Sequence, residues 1–256
     1  MTEDVKVGVA DGICELRFDR PARKNAITAA MYAALADGLE RAAADGAVRV
    51  ALITGSHEAF TAGNDLGDFL DNPPQAGDAP VHRFLRALAA FPKPLIASVC
   101  GPAVGVGTTM LLHCDLVYAG DNAAFSLPFV NLGLCPEAGS SLLLPAIAGH
   151  QRAAEKLLLG EPFGAEEARE LGIVNRVLPA AEVEVCARAQ AAKLAAKPLT
   201  SLVATKALMK QPAAGGVREA MLREGEVFGR MLREPAAREA FSAFLEKRKP
   251  DFSKIG

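Results

Sequence analysis

The sequence predicts an α/β protein with parallel strand pairing and a helical C-terminal region. Three observations carry that expectation. A hairpin signal opens the chain, short apolar runs alternate with helix-patterned segments through most of its length, and strand signals stop after about Pro198. With 256 residues there is enough chain to bury a sizeable core.

Val5, Val7 and Val9 alternate with polar or small residues, and Asp11-Gly12 turns the chain into Ile13–Phe18 with the same alternation, which is a hairpin pattern. Thr28 supplies a cap for an alanine-rich helix running to Ala44, with Met31, Leu35 and Leu39 on its apolar stripe. Val48–Thr54 reads as a strand closed by Gly55, and Leu95–Val99 as another, entered through the helix breakers Pro92 and Pro94. Between them, Asn72–Pro80 has the composition of a mobile loop. Thr108–Cys114 reads as a helix after a glycine turn.

Beyond Pro198, one stripe comprises Leu202, Thr205, Leu208 and Met209, and another comprises Leu222, Val227, Met231 and Leu232. Pro235 opens a last helix whose apolar face is Phe241, Phe244 and Leu245. Helices without strands between them cannot extend the sheet. They either cap the core or pack on a neighbouring subunit, and the second is expected, which divides the chain into a core of residues 1–197 and an oligomerisation region of 198–256.

Half of the residues are hydrophobic, 23% are charged and the net charge is −2, so nothing draws the chain to nucleic acid or an anionic membrane surface. Five cysteines without a CxxC pair indicate free thiols. No signal or transit peptide, bilayer-spanning run or peroxisomal C-terminal tripeptide is visible, and a cytoplasmic location is expected. Met110 stands where a dinucleotide-binding fingerprint needs its third glycine. P-loop, GxSxG and HExxH sequences are missing, and the four histidines are scattered. Asp65, Asp68 and Asp71 lack calcium-loop spacing and read as loop and cap residues, so no metal is expected.

What remains is the turn Gly105-Val106-Gly107. It precedes a helix whose first N–H groups have no intrahelical acceptor and carry the positive end of its dipole. The Val106 N–H is therefore a candidate oxyanion donor; the same glycines could equally serve close helix–strand packing. A second turn, Ala59–Leu66, could aim the Asn64 N–H at the same point. Each such donor contributes roughly 3–4 kcal/mol to transition-state stabilisation. Glu137, in Pro136–Ser141, is a single acid able to move a proton nearby, or else a helix-start acid ahead of an apolar run.

Ala62-Gly63-Asn64-Asp65-Leu66, Gly101–Gly105 with Cys114-Asp115, and Leu171-Gly172-Ile173-Val174 together resemble the crotonase superfamily of enoyl-CoA hydratases and isomerases. The resemblance runs from Asp19-Arg20-Pro21 through Lys24-Asn25-Ala26 to Phe244–Pro250. It implies a spiral of ββα units, a helical trimerisation region, a homotrimer or dimer of trimers, and acyl-CoA thioester substrates with no further cofactor. It also implies oxyanion donors at Asn64 and Val106. Arg23 and Lys24 fall where the family meets the nucleotide phosphates, with a solvated basic loop as the plainer reading. Ala62, Asp65 and Leu66 match the adenine-proximal loop, and Ala26, Gly63 and Gly105 complete the implied binding set.

Hydratases of the family carry two glutamates at positions that here read Thr109 and Phe129. Pro128–Ser141 instead resembles the Δ3,Δ2-enoyl-CoA isomerase branch, in which the acid matching Glu137 is the only acid–base group. In that chemistry a base takes the α proton of a 3-enoyl thioester, the oxyanion hole holds the dienolate, and the same acid returns the proton to the γ carbon. Phe129, Leu132 and Leu134 are expected to raise the Glu137 pKa. Hydration, other thioester chemistry, or coenzyme binding without turnover are the alternatives.

Overall fold

Backbone pairing begins with the expected hairpin. In this computed structural model, which describes residues 2–71, 79–253 and 255, β1 (Val5–Ala10) pairs antiparallel with β2 (Ile13–Phe18). The turn residues Asp11 and Gly12 both take positive φ, 52° and 76°, the combination a two-residue turn needs to match strand twist. Cys14, Leu16 and Phe18 are buried, whereas in β1 only Val5 is. The alternation in β1 is real, but β1 is an edge strand and Val7 and Val9 stay exposed.

The remaining elements follow in order. They are α1 (Ala29–Ala44), β3 (Val50–Thr54), α2 (Leu66–Asp71), α3 (Pro80–Ala90), β4 (Leu95–Val99), β5 (Pro102–Val104), α4 (Val106–Thr109), β6 (Leu116–Gly120), β7 (Ala124–Ser126), α5 (Ser140–Ala148), α6 (His150–Ala154), β8 (Phe163–Gly164), α7 (Ala165–Glu170), β9 (Arg176–Leu178), α8 (Ala180–Ala195), α9 (Leu199–Met231) and α10 (Pro235–Leu245). Thr28 caps α1 by accepting from the Met31 N–H at 3.3 Å, and Met31, Leu35 and Leu39 are fully buried. The expected loop at 72–80 lies outside the described residues except for its last two, where α3 begins. The expected helix at 108–114 is instead the single turn of α4 followed by a 3-10 turn at Met110–His113.

Among the described residues, one sheet runs β1-β2-β3-β4-β6-β9 and is parallel after the hairpin; a second, of three strands, runs β5-β7-β8. The chain steps from β4 to β5 and from β6 to β7, crossing between sheets, and these steps are the turns of a ββα spiral. In β3 successive side chains face opposite ways: Ala51 and Ile53 join the core under α1 and α3, while Val50 and Leu52 pack under Val183, Ala187 and Ala191 of α8. Burial on both faces explains why β3 and β4 read as unbroken apolar runs.

In the C-terminal region the two expected stripes merge. The two stripes belong to one helix of 33 residues, α9, which continues through Pro212. Leu208, Met209 and Leu222 lie exposed, and its two buried residues are Lys206 and Glu224. The α10 helix packs on the core of its own chain: Ala237 and Phe241 belong to the main core, and Met221, Phe228, Met231 and Leu232 pack against it. Of the face expected for α10, Phe241 is buried while Phe244 and Leu245 are exposed. The main core is thus continuous across residue 197. All five cysteines are free thiols. No helix among the described residues is long and apolar enough to cross a membrane.

The step from β4 to β5 turns at Gly101, where φ is 63° and an added Cβ would lie 1.9 Å from the carbonyl oxygen of Glu58. Backbone on both sides leaves no room to yield. Gly101→Ala is expected to destabilise the fold by more than about 2 kcal/mol. Urea unfolding measures this, and an unchanged midpoint would mean that the bend tolerates a side chain.

Candidate active site

Two turns are stitched together by main-chain hydrogen bonds. The Ile27 N–H donates to Gly63 O at 2.8 Å and the Asp65 N–H donates to Ile27 O at 2.9 Å, so Ile27 faces Asn64 in a parallel bridge. In such a bridge the bonds pass through the neighbours of Asn64, and its own N–H points the other way. On the far side, the Thr61 N–H donates to Pro102 O and the Val104 N–H to Thr61 O, at 2.9 and 3.0 Å, tying this turn to β5. Val106 is the first residue of α4, so its N–H has no intrahelical acceptor. Neither amide has an acceptor among the described residues. Between them Gly105 adopts φ 56° and ψ −114°, a conformation only glycine takes readily, and a Cβ built there meets nothing within 4 Å. That open space belongs to a cleft of about 260 Å³.

Glu137 reaches the same cleft from the loop before α5. It is buried, and its Oε1 has no hydrogen-bond partner. Burial first, and the nearby Glu224 charge second, push its carboxyl up from 4.5 to about 8. The role of acid at the start of α5 falls to Glu224 of α9. That carboxylate accepts from the Gly139 N–H at 2.6 Å, the Ser141 N–H at 2.9 Å and the Ser141 hydroxyl. The Gly139 and Ser141 N–H groups are thereby satisfied, the Ser140 N–H donates to the main-chain O of Glu137, and the Glu137 Oε1 is left without a partner. His113 holds the next residue by donating from Nε2 to Ala138 O at 2.7 Å. Burial lowers its pKa to about 4, so the ring is neutral.

Other expected residues divide into two groups. Ala62, Gly63, Asn64, Leu66, Gly105, Val106 and Glu137 all line the cleft. Arg23, Lys24, Ala26 and Asp65 do not. Arg23 and Lys24 are exposed beside the 62–66 turn, to which Lys24 O is joined by the Ala62 N–H at 2.9 Å. Ala26 O accepts from Arg20 Nη1 at 2.9 Å. The Asp65 carboxylate pairs with Arg20 at 2.7 Å and accepts from the N–H groups of Gly67 and Asp68 at the start of α2. Burial opposes its ionisation, but these hydrogen bonds win and its pKa is lowered. Asp68 accepts from the Ala29 N–H at 2.6 Å. Asp65 and Asp68 are thus cap residues, and the described residues contain no metal-holding group of three such side chains.

Thr109 is buried with its hydroxyl on Val106 O, and Phe129 is a wall of the cleft. Three features of the site escaped the sequence. Tyr32, fully buried on α1, donates its hydroxyl to Asn64 Oδ1. Burial, then the Glu137 charge, hold its phenol well above the usual pKa. Glu224 is the second, and the aromatic wall of Phe228, Phe241 and Phe244 is the third. Tyr32 and Glu224 look like ordinary helix residues in the linear pattern, and only their long-range partners mark them.

Over residues 8–254 the chain matches the family of enoyl-CoA hydratase/isomerase proteins. It belongs to that family. Like its relatives it has a crotonase-type α/β fold with a parallel sheet and a C-terminal helix, and it is an acyl-CoA enzyme of this kind. The structure of Pseudomonas aeruginosa OdaA superposes with a TM-score of 0.93 at 50% identity, covering 95% of this chain and 99% of that one. The 2,3-dehydroadipyl-CoA hydratase of Escherichia coli (strain K12) is 36% identical over 239 residues, 93% of each chain. The enoyl-CoA delta isomerase 2 of Rattus norvegicus is 37% identical over 206 residues, 78% of this chain and 52% of that one. Hydratase and isomerase relatives lie at nearly equal distance, so identity alone does not choose between the two activities.

The Glu137 carboxyl couples fold stability to pH. Below about pH 4.5 it is protonated in folded and unfolded chains alike; above that the unfolded chain releases the proton while the folded chain keeps it up to about 8. Stability contributed by the buried neutral acid is therefore lost as pH rises across this window. Glu137→Gln should be the more stable protein at pH 8, by up to a few kcal/mol, with the advantage shrinking towards pH 5. Urea midpoints at the two pH values test this, and equal differences at both would show that the carboxyl ionises freely.

Proposed function

We propose that this enzyme moves the double bond of a 3-enoyl-CoA thioester to the 2-trans position, with Glu137 as the only proton carrier. The observation that carries the reading is a buried carboxyl, without a partner at Oε1, in the same cleft as two unengaged main-chain amides. Among the described residues lining that cleft, Glu137 is the only ionisable one.

The thioester oxygen accepts from the N–H groups of Asn64 and Val106. Ionised Glu137 removes the α proton, and the electron pair moves into the carbonyl to form a dienolate held by the two donors. The now neutral acid returns the same proton to the γ carbon, and the double bond settles between the α and β carbons. Atoms balance with no water added. A pKa near neutrality suits a group that must accept and donate in one cycle. Apolar walls from Phe129, Leu132 and Leu134 support this by keeping the cleft dry. Arg23 and Lys24 are proposed to meet the coenzyme phosphates, with Ala26, Ala62, Asp65 and Leu66 forming the backbone-lined edge for its nucleotide end. The proposal extends to a cytoplasmic homotrimer or pair of stacked trimers, for which the exposed Leu208, Met209 and Leu222 of residues 198–256 offer an apolar surface.

Hydration is the rival reading, favoured by the name of the Escherichia coli relative. Thr109 and Phe129 count against it, since water addition benefits from a second acid. Non-catalytic coenzyme binding ranks below both.

Assays with 3-enoyl-CoA thioesters of increasing chain length, set against crotonyl-CoA hydration, decide between these activities. Glu137→Gln is expected to lower isomerase turnover by about 10²–10⁴ while coenzyme A binding persists. Hydration that outruns isomerisation and survives Glu137→Gln would overturn the proposal. In the wild-type enzyme kcat/KM should climb with pH and level off above about 8, as the free enzyme's carboxyl ionises.

A further inference from the structure

We propose that Glu224, on the C-terminal helix α9, is a positioning residue for the Glu137 proton shuttle: it grips the loop that presents Glu137 and keeps a negative charge behind it. The inference rests on the isomerase reading for its kinetic meaning, though not for its geometry.

Glu224 is buried, and its carboxylate collects three donors from two residues of the Glu137 loop, the N–H groups of Gly139 and Ser141 and the Ser141 hydroxyl. The loop needs such a grip. Ala138 and Gly139 sit at φ 60° and 74°, and a positive φ is disfavoured for alanine. The other ties are the Ser140 N–H and hydroxyl on Glu137 O, His113 on Ala138 O, and the Cys135 thiol on the main-chain O of Glu224 itself. Of these holds, Glu224 alone comes from the C-terminal helical region. Since the same helix brings Phe228 to the cleft, one docking event closes the apolar wall and fixes the acid.

The groups around Glu137 leave Glu224 as the charge that matters. Tyr32 from α1 is a neutral phenol, and His113 is a neutral ring turned to the backbone. Cys135, on the same loop, has a thiol pushed up to about 11 by burial first and by Glu224 second, with Arg230 of α9 opposing weakly. From α10 the cleft receives only Phe241 and Phe244. A fixed negative charge behind a buried acid favours its neutral form, so Glu224 contributes to a proton affinity that burial begins.

Two substitutions test this with opposite expected signs. Glu224→Gln removes the charge and keeps an acceptor, so the Glu137 carboxyl should titrate lower, by about one pH unit. Its turnover on a 3-enoyl-CoA should drop roughly 10- to 100-fold at little change in KM, because the acid is less well aimed. Ser141→Ala removes one donor, leaves the charge less neutralised, and should move the Glu137 titration slightly up. The titration is read without any assay, from the carboxyl carbon resonances of 13C-glutamate-labelled enzyme, with Glu137→Gln identifying the signal. Shifts of opposite sign support the proposal. A Glu137 titration unmoved in both variants overturns it, and if Glu224→Gln does not fold, Ser141→Ala decides alone. Wild-type enzyme lacking isomerase activity would defeat the functional reading and leave the titration result standing.

Discussion

A carboxyl group kept out of water with one oxygen unengaged is the constraint around which this molecule is arranged. Such a group is expensive to bury, and it persists only because surrounding structure fixes the loop that carries it. Glu137 sits on backbone with a left-handed alanine next to it, tied down by His113 from the turn after α4 and by Glu224 from α9. These two ties come from different parts of the chain and add to the local one from Ser140 to Glu137 O, so the acid is placed by more than a local motif.

The same logic governs the two amides. The Asn64 N–H is left without an acceptor because Ile27 takes the bonds of both neighbours, and the Val106 N–H because it begins a helix. One amide is freed by a strand-like bridge and the other by a helix terminus. They converge because Thr61 is hydrogen-bonded to β5, the strand that leads into Gly105. The spiral of short strands sets two unrelated turns side by side, and its rigidity is the preorganisation that carbonyl chemistry requires. Relatives with different names match most of this chain, which fits a scaffold whose chemistry is set by the groups placed on it.

Much of the site could be read from the linear pattern, for a physical reason. Gly63, Asn64, Gly105 and Val106 occupy turns that demand glycine at fixed offsets, so their positions show in residue identity. Glu137 stood out as the one acid in an apolar and glycine-rich segment. Tyr32 and Glu224 did not stand out, because they touch the site across distances in sequence that no periodicity encodes. The two apolar stripes lie on one helix, α9, although Pro212, Gly215 and Gly216 weaken local propensity between them, because tertiary contacts at Lys206 and Glu224 hold it as one.

By itself the sequence determined the hairpin, the apolar strands, the two glycine turns and an acid that lies in the cleft. These follow from side-chain period, backbone conformations open only to glycine, and composition, all of which act over a few residues. Only the tertiary structure decided that α10 folds back on its own chain, that the Glu224 and not the Glu137 carboxyl group takes N–H groups at the start of α5, and that Arg20 engages Asp65. Those outcomes depend on which distant groups compete for the same hydrogen bonds and the same buried surface, and that competition is resolved when the chain packs.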